Sequence, residues 1–262
     1  MADLLGADLV KYVYDKNFYD AQSDFSLKSA RTVTPIIFDI LKPKSVVDFG
    51  CGVGTWLIAF EELGVADYLG IDGNYVSEDS LQISPKRFRA MDLTKPIQLE
   101  KRYDLACALE VAEHLPETSA DDFVESLTNA SDFVLFSAAV PGQGGTFHLN
   151  EQWQDYWRAK FLARSYVAVD LVRPKVWGSE NVGFWYQQNT ILYVRQGQAL
   201  NSLPLEQNFQ ASLSLNIVHA QLYEKECFRD PTLGEIIAAV PRVVLRSLIF
   251  HARNFLNKAT RE

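Results

Sequence analysis

The chain has 262 residues, 48% of them apolar, and a formal net charge of −8. That length suits one α/β domain with a modest extension, and the composition is too apolar for a disordered protein. No apolar run approaches the roughly 20 residues of a membrane span, and an acidic chain whose first 200 residues show no basic tract is poorly suited to gripping a nucleic acid backbone, so a small-molecule partner is favoured.

Cys51, Cys107 and Cys227 form no C-x-x-C pair, so no disulfide framework is expected. The opening Met-Ala-Asp-Leu-Leu-Gly-Ala-Asp has acids where a signal peptide needs positive charge, which predicts a cytoplasmic protein. Residues 1–43 read as a helical segment. Tyr12, Tyr14, Phe18 and Tyr19 precede a helix from about Ser26 to Leu41, with Pro43 past its end and Pro35 expected to kink or split it.

Ser45 to Phe49 is a short apolar run with β-branched residues, as in a strand buried on both faces. Gly50, Gly52 and Gly54 then let the backbone turn tightly and approach a ligand, and Trp56 to Glu62 resumes with helical spacing. The spacing G-x-G-x-G with Asp48 ahead of it is neither the dinucleotide fingerprint G-x-G-x-x-G nor a P-loop, since no Lys-Ser/Thr pair follows. The pattern D-x-G-x-G-x-G resembles motif I of the class I S-adenosylmethionine-dependent methyltransferases. The resemblance implies a Rossmann-like seven-stranded sheet with helices on both faces and a core over residues 44–200. It also implies S-adenosyl-L-methionine beside Asp48 and the three glycines, partly covered by the leading segment. A cofactor with a sulfonium and an ammonium and no phosphate makes electrostatic sense of the acid.

Tyr68 to Gly73 reads as a second strand, and Asp72 at its end is placed to accept hydrogen bonds from ribose hydroxyls. Residues 74–86 are polar, contain Pro85 and show no clear helical period. Arg87 to Met91 reads as a third strand followed by Asp92 and Leu93, which the resemblance assigns to the adenine amino group and ring. Tyr103 to Leu109 is the fourth strand and Ser131 to Ala139 the fifth, with a helix from Ser119 to Ala130 capped by Ser119. Leu109 joins the candidate cofactor residues. Glu151 to Ala163 reads as a helix, and Tyr166 to Val172 and Thr190 to Val194 as the last strands. In the family resembled, the final strand is antiparallel.

After the fourth strand comes Glu110-Val111-Ala112-Glu113-His114. As a helical turn, it would set Glu110, Glu113 and His114 on one face, at the strand ends where such sheets bind ligands. His148, beyond the fifth strand, opens onto the same crevice, and two carboxylates with two imidazoles can hold a divalent cation. E-x-x-E-H with a later His is similar to the metal site of small-RNA 2′-O-methyltransferases and, more loosely, of ubiquinone-pathway O-methyltransferases, although the spacing to the second His differs. The resemblance implies Glu110, Glu113, His114 and His148 as ligands of Mg or Mn. Alternatively, His114 or His148 is the base, or His114 only packs under the cofactor.

Trp153, Tyr156 and Trp157 share a predicted helical face, and Trp177, Phe184, Trp185 and Tyr186 fall in a predicted loop. These rings suit a ring-bearing acceptor or a core. Residues 201–262 form a predicted helical extension, whose helix near Pro241 to Lys258 lines up Arg242, Arg246 and Arg253. It is expected to pack on its own domain, lie on anionic lipid or meet another subunit. The expected activity is methylation of a small-molecule hydroxyl, in a saccharide or natural-product pathway. Metal-free N- or C-methylation, a non-catalytic cofactor-binding scaffold and RNA methylation are the alternatives.

Overall fold

The structure is a computed structural model and describes residues 16–201, 215–228, 230 and 232–259. Residues 1–15, including Tyr12 and Tyr14 of the segment expected to cover the cofactor, lie outside the described residues. The chain divides into two compact units, Met1–Leu222 and Tyr223–Glu262.

The first unit is built on strands β1 (Ser45–Phe49), β2 (Asp67–Asp72), β3 (Phe88–Ala90), β4 (Leu105–Leu109), β5 (Phe133–Ser137), β6 (Tyr166–Val169) and β7 (Ile191–Arg195). They form one sheet in the order β3-β2-β1-β4-β5-β7-β6. All neighbours pair parallel except β7, which runs antiparallel to both β5 and β6. Val47 on β1 faces Leu69 on one side and Ala106 on the other. Such central strands are covered on both faces, which is why they read as continuous apolar runs.

One face carries Val47, Phe49, Ala108 and Phe136 against Phe123 and Leu127 of α3 (Ala120–Ala130) and Trp157 and Phe161 of α4 (Gln154–Leu162). The other carries Val46, Leu105, Cys107 and Leu135 against α1 (Lys16–Leu41) and α2 (Thr55–Glu62). Helix α1 starts earlier than the sequence predicts and passes through Pro35 without ending. A mid-helix proline costs about 3 kcal/mol; fully buried Val33 and Ile37, worth about 1.5–3 kcal/mol each, offset it.

Other elements depart from expectation for local reasons. Ser119 spends its hydroxyl on the Pro116 carbonyl, 2.8 Å away, and makes no side-chain cap to α3. After β6 the chain leaves the sheet at Val169 and forms α5 (Arg173–Val176), and Phe184 to Tyr186 belong to α6 (Phe184–Asn189), not to a loop. After the short α7 (Gln198–Asn201), residues 215–222 pack on this core. Arg173 Nη1 donates to the Leu215 carbonyl at 2.7 Å, and the His219 amide donates to Gln188 Oε1 at 2.6 Å.

Helix α8 (Ala220–Phe228) leads into the second unit, which holds α9 (Leu233–Ala259). A capping box starts α9: the Glu235 amide donates to Thr232 Oγ1, and Glu235 Oε2 accepts from the Thr232 amide. The helix passes Pro241, and Leu233, Ile237, Val240 and Val244 are exposed along it, as are Arg242 and Arg246. The Arg253 side chain is outside the described residues. Among the described residues no helix is long and apolar enough to cross a membrane.

Candidate functional site

The site lies at the carboxyl ends of the parallel strands, where loops from neighbouring strands meet. At the end of β1 the backbone turns through Gly50 (φ +81°), Gly52 (+54°) and Gly54 (+93°). A Cβ at Gly50 would stand 2.4 Å from Val111, and one at Gly54 2.7 Å from Ile83, so space as well as conformation demands glycine. The Gly50 and Cys51 amides both donate to the Ile71 carbonyl, which ties this corner to β2.

Three predicted acids lie at this end of successive strands, Asp48 and Asp72 within the last residues of β1 and β2 and Asp92 just past β3. Asp48 is buried beneath the corner, and burial, aided by the neighbouring Asp72, pushes its pKa up to about 8. Asp72 accepts from the Gly52 amide (2.7 Å), the Gly73 amide (2.6 Å) and the Tyr75 hydroxyl (2.6 Å). Burial raises its pKa and those three bonds pull it back. Asp92 is exposed and caps a turn through the Thr94 amide and hydroxyl; partial burial raises its pKa, but these bonds and Lys95 hold it below the ordinary value. Leu93 and Leu109 are buried. A cationic ligand without phosphate fits here, because a buried carboxyl at a side-chain-poor corner stays neutral until a positive charge arrives.

The segment after β4 differs from the predicted helical turn. Glu110 sits in the left-handed region (φ +55°), and a single 3₁₀ turn, Ala112–His114, follows. The spacing that was to align Glu110 with Glu113 and His114 is therefore broken at its first residue. Glu110 is held instead by Gln143 Nε2 (2.8 Å) and Asn189 Nδ2 (3.1 Å). Glu113, His114 and His148 do come together, each offering one ligand atom within 4.8 Å of the others, and the two imidazole centroids are 4.8 Å apart. Glu110 is not in that set, although its charge reaches Glu113.

Both Glu113 carboxyl oxygens are buried without a hydrogen bond. The Glu110 carboxyl and the Ala139 amide lie close by without completing one. Burial, then Glu110, pushes the Glu113 pKa well above the carboxylate range. The Glu110 pKa is also raised by burial, against the pull of its Asn189 and Gln143 donors. Burial, then the neighbouring His148, draws His114 down to about 4, and its Nδ1 is another buried atom without a partner. Unbonded carboxyl oxygens beside a neutral imidazole and a second imidazole make a donor set that fits a divalent cation, which would displace the carboxyl proton.

His148 is carried by a loop that winds through Gly142 (φ +85°), Gly144 (+65°) and Phe147 (+57°). The Leu149 and Asn150 amides donate to the Glu113 carbonyl (2.7 and 3.0 Å), which fastens this loop to the turn after β4. Glu151, read from sequence as the start of a helix, accepts from His148 Nδ1 at 2.8 Å. Sequence reasoning also missed Gln143, Gln188 and Asn189, a buried amide group around Glu110. The run Gln187-Gln188-Asn189 ahead of an apolar strand was the available signal. Of the aromatics, Trp157 is core against Phe136 (5.2 Å), Trp153 is exposed, and Trp177 lies against His219 (4.8 Å).

A family profile described as a methyltransferase domain matches residues 26–210. No curated protein matches the chain. Among solved structures, the chain is similar to the plantazolicin methyltransferase BpumL, with 17% identity, 73% of this chain and 92% of that one covered, and a TM-score of 0.50. It is also similar to the sugar N-methyltransferase KedS8 from Streptoalloteichus sp. ATCC 53650, with 14% identity, coverage of 69% and 92%, and a TM-score of 0.50. The methyltransferase domain of bacterial CtHen1-C aligns at 19% identity, coverage of 65% and 100%, and a TM-score of 0.48. These likenesses concern the fold. The profile spans most of the chain and takes in the glycine corner, its acids and the histidine cluster, and the chain accordingly belongs to the methyltransferase-domain family as an S-adenosylmethionine-dependent methyltransferase.

Proposed function

We propose that the chain methylates a hydroxyl oxygen of a small molecule, with a divalent cation, Mn or Mg, held by Glu113, His114 and His148. One observation carries this reading: a buried carboxyl with neither oxygen bonded lies against two imidazoles, at the sheet end that bears the glycine corner. Such an arrangement is costly unless a cation or a shared proton resolves it. The cation would act as a Lewis acid on the acceptor oxygen.

In this reading Asp48, Gly50, Gly52 and Gly54 line the donor site, Asp72 exchanges protein donors for ribose hydroxyls, and Asp92, Leu93 and Leu109 border the adenine. S-adenosylmethionine supplies a methyl group on a sulfonium, so the acceptor oxygen gains a C–O bond as the C–S bond breaks. The protein aligns the two; the cation would lower the pKa of the hydroxyl so that its proton leaves to water, while in the absence of a cation His148 is free to accept it. The acidic balance supports a small acceptor over a nucleic acid.

Glu113→Gln removes the anionic ligand with little change in shape. Paramagnetic titration is expected to show one Mn ion bound by the parent and at least tenfold weaker binding in the variant. Transfer of labelled methyl to a panel of hydroxylated metabolites should fall in parallel. Full turnover in chelator together with an active Glu113→Gln variant would overturn the cation. A second reading, metal-free transfer with His148 as base, is favoured by the Glu151–His148 pair; it requires chelator-insensitive turnover that His148→Ala abolishes.

A further inference from the structure

The loop from Pro141 to Glu151 contains an acid that neither the cofactor site nor the cation set uses. Glu151 Oε1 accepts from His148 Nδ1 and from the Gly144 amide, and Oε2 accepts from the Gly142 amide, all at 2.8 Å. One carboxylate thus gathers three donors from a loop with three residues in the left-handed region. The pair is sheltered, with side-chain exposures of 12% for His148 and 21% for Glu151, so its hydrogen bonds face limited competition from water. On the opposite edge of the ring, the Gly145 backbone approaches so closely that a Cβ there would stand 2.2 Å from His148 Nε2.

We propose that Glu151 is a positioning residue that fixes which nitrogen of His148 does chemistry. A carboxylate is acceptor-only, so by accepting a hydrogen bond from Nδ1–H it keeps the proton on that nitrogen and leaves a neutral His148 with its lone pair on Nε2. With that lone pair His148 binds a cation beside Glu113 and His114, or takes the acceptor's proton. The inference rests on the proposed role of His148 and serves either reading of it. Ligand histidines are commonly oriented by such a carboxylate, and losing it weakens metal binding by about 10–100-fold. The two glycine amides add a second effect: releasing the carboxylate frees residues 142–144 as well as the ring.

The test separates this role from a merely structural one and from the cation itself. In the parent protein without metal, at about pH 8.5 where imidazole is ordinarily neutral, long-range proton–nitrogen correlation spectra should show His148 protonated on Nδ1. Protonation on Nε2 overturns the proposal with no substitution needed. Glu151→Gln keeps the side-chain length but has a single acceptor oxygen for three donors and can itself donate to Nδ1. In Glu151→Gln and Glu151→Ala, His148 should become a mixture of tautomers, and amide exchange at Gly142 and Gly144 should accelerate. Mn affinity should drop by about 10–100-fold. Variants that melt earlier yet keep pure Nδ1–H would reduce Glu151 to a loop tie and overturn the positioning role. Absence of Mn binding in the parent would defeat the cation reading alone, because the tautomer still decides the part played by Glu151.

Discussion

Asp48→Asn separates what the fold tolerates from what the ligand requires. Asp48 is buried, and its pKa stands at about 8 against an ordinary 3.8, with burial the main cause and Asp72 the second. Between those values the unfolded chain releases a proton that the folded chain keeps, so this group's contribution to stability is best below pH 3.8 and is lost as pH rises toward 8. At about 1.4 kcal/mol per pH unit, the burden at pH 7 is at most about 4 kcal/mol, and relaxation of the site brings the expected effect to about 1–4 kcal/mol. Asparagine keeps the shape and cannot ionise. Urea denaturation of the cofactor-free protein at several pH values should show parent and variant equal near pH 4 and the variant increasingly more stable up to pH 8. Calorimetry should show the opposite for ligand, with at least tenfold weaker binding of S-adenosylmethionine to the variant. A stability difference that stays flat with pH would refute the argument, whatever its size.

Gly50→Ala should lower stability by about 1–3 kcal/mol, since it adds a Cβ 2.4 Å from Val111 at a φ of +81°. Gly64→Ala, at φ +96° with nothing within 4 Å, isolates the backbone part and should cost about 1 kcal/mol; equal melting temperatures for the two would refute the crowding. Arg173→Met should cost about 3 kcal/mol by urea denaturation. It removes a buried guanidinium that bonds Asp170 (2.7 Å) and the Leu215 and Gln188 carbonyls (2.7 and 3.3 Å), and amide exchange in residues 215–222 should rise with it. Unchanged exchange there would show that Arg173 does not hold that segment.

The sheet was legible because five of its strands are buried apolar runs ending in turn residues, and the glycine corner because three glycines in five residues leave few alternatives. The histidine cluster was only half legible. His114 and His148 could be paired once β4 and β5 were known to open on one side. The position of Glu110 could not be read, because one residue in the left-handed region cancels any helical register. Phe184 to Tyr186 escaped because α6 is too short for a 3.6-residue period to show. Glu151 was hidden for a different reason: an acid three residues before a helix resembles an ordinary start signal, and only the folded loop reveals the donors it collects.

β7 enters the sheet at the edge where its neighbours exit, so the polypeptide between β6 and β7 arrives at the same rim as the turns following β4 and β5. The rim is thereby split by origin. Strands β1 to β3 furnish the corner and its acids, while the histidines and the amide group come from β4, β5 and the lead-in to β7. Lineages could therefore remodel the stretch from Asp170 to Asn189 and change the company Glu110 keeps, with the adenosine half left as it is.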